Sequence, residues 1–321
     1  MKKAKSCAEK IPFIQDIARK AFRKYHNILL KNKKFDVYFE PNFIPIDIQA
    51  KKIVTTVHDF SFHLFPEWHP KDRINYFRNN FYKQIYKSDL IITDSNYVKE
   101  EIKQFLKIND DKIRVIFMGY DKTVFKKNNK DEIIRFRHFK ELPERFILFV
   151  GSIEPRKNLI SLLKAYLLLP EYIKRDFTLL LVGFKGWKNA DILDLLNNLK
   201  GNVEYLGSVD TDELACLYRK ASCFVYPSLY EGFGLPPLEA MACGCPVIVS
   251  NAASLPEVCD DAAYYVDQYN VESIADGIHK VLTDETLRQD MIRKGLERAK
   301  LFSWEKSAKE HIKVFEEVLG S

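Results

Sequence analysis

Short apolar runs alternate along the chain with longer amphipathic stretches, and this alternation occurs twice. In the first half, F-D-V-Y-F (35–39), K-I-V-T-T-V (52–57), D-L-I-I-T (89–93) and I-R-V-I-F (113–117) read as strands. Helical stretches at about 71–87 and 96–107 separate the later ones. A charged, poorly patterned stretch from Lys122 to Arg145, containing N-N-K-D and L-P-E-R, reads as a connection between units. The alternation then restarts with strands at 145–150, 177–182, 203–206, 223–226, 246–249 and 262–266. Apolar runs with no polar alternation are buried on both faces, which marks a parallel sheet. The C-terminal stretch is helical and ends in S-W-E-K-S-A-K-E-H-I-K-V-F-E-E-V-L, with Ser303 as its cap and Lys306 where a capping box places Glu. The pattern predicts an α/β protein of two doubly wound parallel-sheet units. Their expected bounds are 1–142 and 143–302, with a helix at 303–321 packing back on the first unit.

The length of 321 residues agrees with two domains at about 150 residues each. With 46% hydrophobic and 29% charged residues, disordered, collagen-like and coiled-coil classes are excluded. No apolar run approaches the roughly 18 residues of a membrane span. The N-terminus M-K-K-A-K-S-C-A-E-K lacks the apolar stretch and cleavage site of a signal peptide, so a cytoplasmic location is expected. A net charge of +6 is too small to imply nucleic acid. It suits an anionic small ligand or an anionic membrane face, and equally an ordinary solvated surface. Residues 12–32 read as a basic amphipathic helix, with Phe13, Ile17, Phe22, Ile28 and Leu29 on its apolar face and Lys10, Arg19, Lys20, Arg23 and Lys24 around it. Such a helix either packs on the sheet or attaches peripherally to the inner membrane face. The six cysteines form no C-x2-C pair and read as reduced core residues.

Glycine use adds a functional signal. Of 12 glycines the first is Gly119, and eight lie between Gly151 and Gly244. Because glycine permits close backbone approach to a ligand, residues 150–245 are the expected ligand-handling region. A G-x-G-x-x-G phosphate loop is excluded from the first 118 residues.

In doubly wound sheets ligands bind beyond the carboxyl ends of the strands. After strand 145–150 comes G-S-I-E-P-R-K-N, where Gly151 ends the strand and Arg156 and Lys157 lead into a helix at Asn158. Two cations beside a helix N-terminus form either an anion site or a solvated basic pair. After strand 223–226 comes P-S-L-Y-E-G-F-G-L-P-P-L-E, placing Glu231 on a glycine loop and Glu239 in the first turn of a helix opened by Pro236-Pro237. The two carboxylates either stabilise the helix dipole or accept the paired hydroxyls of a sugar or ribose. The amides of Phe233, Gly234 and Leu235 could serve a hydroxyl or phosphate oxygen.

The run G-S-I-E-P-R-K-N, the segment E-G-F-G-L-P-P-L-E, the following G-C-P-V-I-V-S-N-A-A-S-L-P-E-V and the terminal F-S-W resemble family 4 retaining glycosyltransferases, which have the GT-B architecture. Y-F-E-P-N-F-I-P (38–45) and V-T-T-V-H-D-F-S (54–61) look like the branch that includes bacterial mannosyltransferases. The resemblance covers nearly all of residues 35–319. It implies that Arg156 and Lys157 hold the nucleotide diphosphate, and that Glu231 binds donor-sugar hydroxyls with help from the amides of Phe233, Gly234 and Leu235. Glu239 would bind the ribose, and Gly151, Gly183 and Val209 would border the donor. His58 would reach the reacting centre from the other unit, with Asp59 supporting it. The implied reaction is retaining transfer of a hexose, mannose from GDP-mannose, to a glycan or lipid-linked glycan acceptor, with no metal or other cofactor. The alternatives are a nucleotide-sugar-binding subunit that needs a partner chain, and transfer of glucose from an ADP or UDP donor. Four strands precede the connection where the family has about seven, so the N-terminal unit is expected to be incomplete, with a missing segment or partner supplying the rest.

Overall fold

In a computed structural model of the chain, the residues described are 33–127, 142–187, 190–199 and 202–320. The basic helix expected at 12–32 and most of the connection at 122–145 lie outside them. Four parallel strands build the first sheet: β1 (Phe35–Glu40), β2 (Ala50–Thr56), β3 (Leu90–Thr93) and β4 (Ile113–Val115), side by side in chain order. Helices α1 (Ser61–Leu64), α2 (Lys71–Ile85) and α3 (Asn96–Leu106) belong to the same unit. The pleat sends successive side chains to opposite faces. Ile91 of β3 joins an aromatic cluster of Phe43, Phe60, Phe62, Phe77 and Phe81, whereas its neighbours Leu90 and Ile92 face the other way.

The second sheet holds β5 (Phe146–Val150), β6 (Thr178–Val182), β7 (Val203–Gly207), β8 (Cys223–Tyr226), β9 (Val247–Ser250) and β10 (Ala263–Val266). All are parallel, in the spatial order β10-β9-β8-β5-β6-β7. Their connections carry α4 (Leu159–Leu168), α5 (Glu171–Asp176), α6 (Ala190–Asn198), α7 (Thr211–Lys220), α8 (Leu235–Ala242) and α9 (Leu255–Cys259), and α10 (Val271–Thr283), α11 (Glu285–Ala299) and α12 (Trp304–Gly320) follow. This is the doubly wound order in which the strand order reverses between the first and fourth strands of the unit, here β5 and β8. All five residues of β5 are buried, as are the four of β8, so the apolar runs read as parallel core strands are that. Cys216, Cys223, Cys243, Cys245 and Cys259 are buried free thiols, and burial pushes Cys223 and Cys259 up to about 12, where they stay protonated.

Helix α12 leaves the second unit and covers the first sheet, where Val314 and Val318 form one buried cluster with Val54, Leu90 and Ile92. Ser303 caps it, its Oγ accepting the Lys306 N–H at 3.0 Å. The two crossings between units pass in direct contact: a Cβ on Gly119 would fall 2.1 Å from the Trp304 nitrogen. Among the described residues no helix is long and apolar enough to cross a membrane.

Candidate functional site: a cleft between the two sheets

The carboxyl ends of both sheets face a cleft of about 350 Å³. His58, Asp59, Asp94 and Met118 line it from one side, and Arg156, Lys157, Tyr226, Glu231, Gly232, Phe233, Gly234, Leu235 and Pro236 from the other. Eight of the residues singled out from sequence therefore meet here. The loops after β5 and β8 emerge on either side of the reversal point, and Asn158, in the left-handed region at φ 56°, ties them together. Its amide nitrogen donates to Pro227 O at 3.1 Å and to Gln268 O at 2.7 Å.

Glu231 sits at the centre of the second-unit side, 6% exposed. One carboxylate oxygen accepts from Arg156 Nη1 at 2.5 Å and the other from Lys157 Nζ at 2.7 Å. Arg156 also donates to Glu154 Oε1 at 3.0 Å and Tyr230 O at 3.1 Å, and Lys157 donates to the Tyr226 hydroxyl. Burial alone would raise the Glu231 carboxyl, but the charges of Arg156 and Lys157 override it and bring it down to about 2. Burial, aided by the charge on Arg156, draws Lys157 below its ordinary value, and Glu231 opposes that. The cations read as an anion site thus meet a carboxylate of the protein itself.

The N–H groups of Phe233, Gly234 and Leu235 have no hydrogen-bond acceptor among the described residues, so they are available at the cleft wall. Gly232 is fixed by contact between units. A Cβ there would lie 1.9 Å from His58 O, and its own carbonyl accepts from Ser95 Oγ at 2.7 Å. Just before it, Tyr230 donates to Glu101 at 2.5 Å and accepts the Phe60 N–H at 2.9 Å, both across the boundary between units. Glu257 holds the N-terminus of α3, accepting the N–H groups of Asn96 and Tyr97.

The partner of Asp59 and the helical position of Glu239 differ from expectation, and Glu239, Gly151, Gly183 and Val209 lie outside the lining of this cleft. Asp59 makes no hydrogen bond to the His58 ring: its carboxylate is turned to the N–H and Oγ of Ser61, at 2.8 and 2.7 Å, and it acts on the ring through its charge alone. The acid on His58 is Asp94, 2.6 Å from Nδ1, while Nε2 lies 2.8 Å from Pro41 O. Burial disfavours a charged ring, but the hydrogen bond and charge of Asp94 outweigh it and hold the His58 pKa above its usual value. Glu239 is not in the first turn of its helix, because α8 begins at Leu235, two residues before Pro237. Nor does Glu239 line the cleft: the Tyr218 hydroxyl donates to it at 3.3 Å, and burial raises its carboxyl to about 7. Gly151, Gly183 and Val209 also lie off the cleft wall. A Cβ on Gly183, whose φ is +144°, would fall 2.0 Å from Gly151 O, so these glycines let the loops after β5 and β6 touch. Val209 packs against the second-unit core.

Asp94, Tyr226 and Pro41 were missed by sequence reasoning. Asp94 left one usable signal, a carboxylate immediately after the apolar strand D-L-I-I-T, at the end where such sheets bind ligands.

Comparison with known proteins follows the same division into two units. Residues 130–298 match the family model described as "Glycosyl transferases group 1", and residues 12–124 match "Glycosyltransferase Family 4". The chain is 35% identical over 288 residues to O-antigen chain mannosyltransferase B of Escherichia coli, covering 89% of this chain and 75% of that one. It is 32% identical over 287 residues to the serotype-specific mannosyltransferase WbdA of Escherichia coli, covering 87% of this chain but 35% of that longer protein. Among solved structures, sucrose-phosphate synthase from Thermosynechococcus elongatus superposes with a TM-score of 0.72 over 97% of this chain and 80% of its own. At 22% identity that likeness concerns the fold.

Proposed function

The chain belongs to the family 4 glycosyltransferases of GT-B architecture, and from that premise we propose that it transfers mannose from GDP-mannose, with retention, to a glycan or lipid-linked glycan acceptor. The observation that carries this reading is the convergence of Arg156, Lys157 and Glu231 at the reversal point of the second sheet, with His58 across the cleft. Mannose as the sugar is supported by the activity named for the Escherichia coli relatives.

Departure of a nucleoside diphosphate builds negative charge on phosphate and positive character at the anomeric carbon. Arg156 offers a fork of N–H donors and Lys157 a point charge, which together lower that barrier without a protein nucleophile or a metal. The diphosphate replaces Glu231 on these two cations, and the freed carboxylate then accepts hydroxyls of the donor sugar. The open amides of Phe233, Gly234 and Leu235 take further oxygens.

The test is a transfer assay with GDP-mannose, UDP-glucose and ADP-glucose in parallel, on a mannosylated lipid-linked acceptor, read by mass spectrometry and by NMR of the new linkage. The expected product is one added hexose from GDP-mannose in the donor's own anomeric configuration, at a rate unchanged by a chelator. Transfer from a glucose donor alone would overturn the sugar assignment. Thermal stabilisation by GDP with no transfer from any donor would replace the enzyme by a binding subunit.

A further inference from the structure

His58 is held at both ring nitrogens and on its edge. Nδ1 meets Asp94 Oδ2 at 2.6 Å, and Nε2 meets Pro41 O at 2.8 Å. The Phe43 ring stands edge-on to the imidazole, 5.4 Å away at 77°. A carbonyl can only accept, so Nε2 carries a hydrogen; a carboxylate on Nδ1 favours a hydrogen there too. The geometry therefore describes a doubly donating imidazolium with one carboxylate partner, itself 6% exposed.

The support for Pro41 is unusual. Phe43, buried and with φ at 65°, is the middle residue of a tight turn in which the Ile44 N–H donates to Asn42 O at 2.8 Å. A bulky residue in the left-handed region stores strain, and such strain collects at ligand clamps and switch regions. A second hydrogen bond, from the Phe43 N–H to Thr56 O at 2.9 Å, ties this turn to the end of β2, two residues before His58.

We propose that Asp94 is a positioning residue for the transfer: it fixes the His58 ring through Nδ1, so that the Nε2 hydrogen now taken by the Pro41 carbonyl is presented to an oxygen of the donor. This rests on the reading of the cleft as a glycosyl-transfer site. Asp94 is separated from His58 by 36 residues and comes from a different strand end, β3 rather than β2. It makes the ring's orientation and charge a property of the sheet rather than of one loop. The charged groups around the ring are Asp94 from the loop after β3 and Asp59 beside it in sequence, with Arg156, Lys157 and Glu231 lining the same cleft from the other unit.

Two readouts test this separately from the function itself. The first is NMR titration of the His58 ring, identified by its loss in His58→Gln, in the wild-type chain and in Asp94→Asn. Asparagine keeps an acceptor and removes the charge, so the midpoint should fall by about one unit or more. The second is steady-state transfer across pH. Asp94→Asn should lower kcat about 10-fold or more while the donor KM stays within about two-fold, and move the alkaline limb to lower pH by the NMR shift. Asp94→Glu should recover part of both. An unchanged His58 midpoint, or a loss of kcat that follows only a fall in Tm with the pH profile intact, overturns the proposal. An altered midpoint in a protein that transfers nothing from any donor sinks the glycosyl-transfer reading, and the role of Asp94 in transfer with it.

Discussion

Across the cleft, the two sides hold their charges differently. On the second-unit side, Arg156 and Lys157 are balanced by Glu154 and Glu231, which come from two loops on either side of one reversal point and are buried. On the first-unit side, a half-buried histidine after β2 is held by partners from two other strand ends, Pro41 after β1 and Asp94 after β3. The difference explains what each side can do. A closed charge cluster offers the same groups to an incoming anion that it uses for its own neutrality, so binding is an exchange of partners. The contact of the ring with Asp94 is set before any ligand arrives, and only its Nε2 hydrogen, on Pro41 O, has to change partner.

Breaking the charge cluster is the most severe test of that contrast. Lys157→Met retains the length of the side chain and leaves Glu231 with Arg156 alone. With Arg156 still on Glu231, the cost should fall at or below the low end of the roughly 3–5 kcal/mol lost when a buried charge is left unpaired. Urea unfolding should report a loss of that order, and GDP should no longer raise the Tm. The pH dependence should change as well. In the wild-type chain the Glu231 pKa is depressed to about 2, so its stabilisation is present above the unfolded value near 4.5 and is lost as pH falls towards 2. In Lys157→Met the folded value should lie closer to 4.5, so the acid-side loss should be smaller and complete at a higher pH. A variant as stable as wild type would mean that the cluster is not an interdependent unit.

The boundary between the two sides carries the second test. Glu101 of the first unit receives the Tyr230 hydroxyl of the second, and burial raises its carboxyl to about 7. The sign is opposite to that of Glu231. Its folded value lies above the unfolded one, so its contribution is full below about pH 4.5 and is lost as pH rises through about 7. The shift amounts to about 3 kcal/mol in the limit, at about 1.4 kcal/mol per unit. Glu101→Gln keeps an acceptor for Tyr230 and removes the charge. It should therefore raise stability above pH 7 by up to that amount and flatten the dependence between the two values. Thermal unfolding at pH 5 and pH 8 decides it, and equal destabilisation at both would show that the carboxyl is ionised at the contact.

How far the sequence announced this arrangement follows from the same contrast. All ten strands and the Ser303 cap were legible, because short apolar-rich runs and a capping serine are local signals. Arg156, Lys157 and Glu231 were legible because each loop is one short segment directly after a strand. Asp94 was not, because its pairing with His58 depends on β2 and β3 lying side by side, which no local pattern encodes. The same holds for Tyr230, whose partners Phe60 and Glu101 lie 170 and 129 residues away. Asp59 illustrates the converse error: adjacency to His58 suggested a partnership, but at the start of α1 the neighbouring Ser61 N–H takes the carboxylate instead.

The smallest effect concerns how the first unit is covered rather than how it binds. Its sheet has only one face packed by its own described helices' aromatic cluster, whereas the other is closed by Val314 and Val318 of α12, which follows the second unit in the chain. Ser303 starts that helix, and replacing an N-cap serine by alanine costs about 1 kcal/mol. In a unit of this size Ser303→Ala should lower the Tm by roughly 2–4 °C. Hydrogen exchange gives the sharper readout, since loosening one end of α12 should speed amide exchange in β2 and β3 while leaving β5 and β8 unchanged. Equal acceleration in both sheets would mean that the two units open together, and that the clamped histidine shares the stability of the charge cluster it faces.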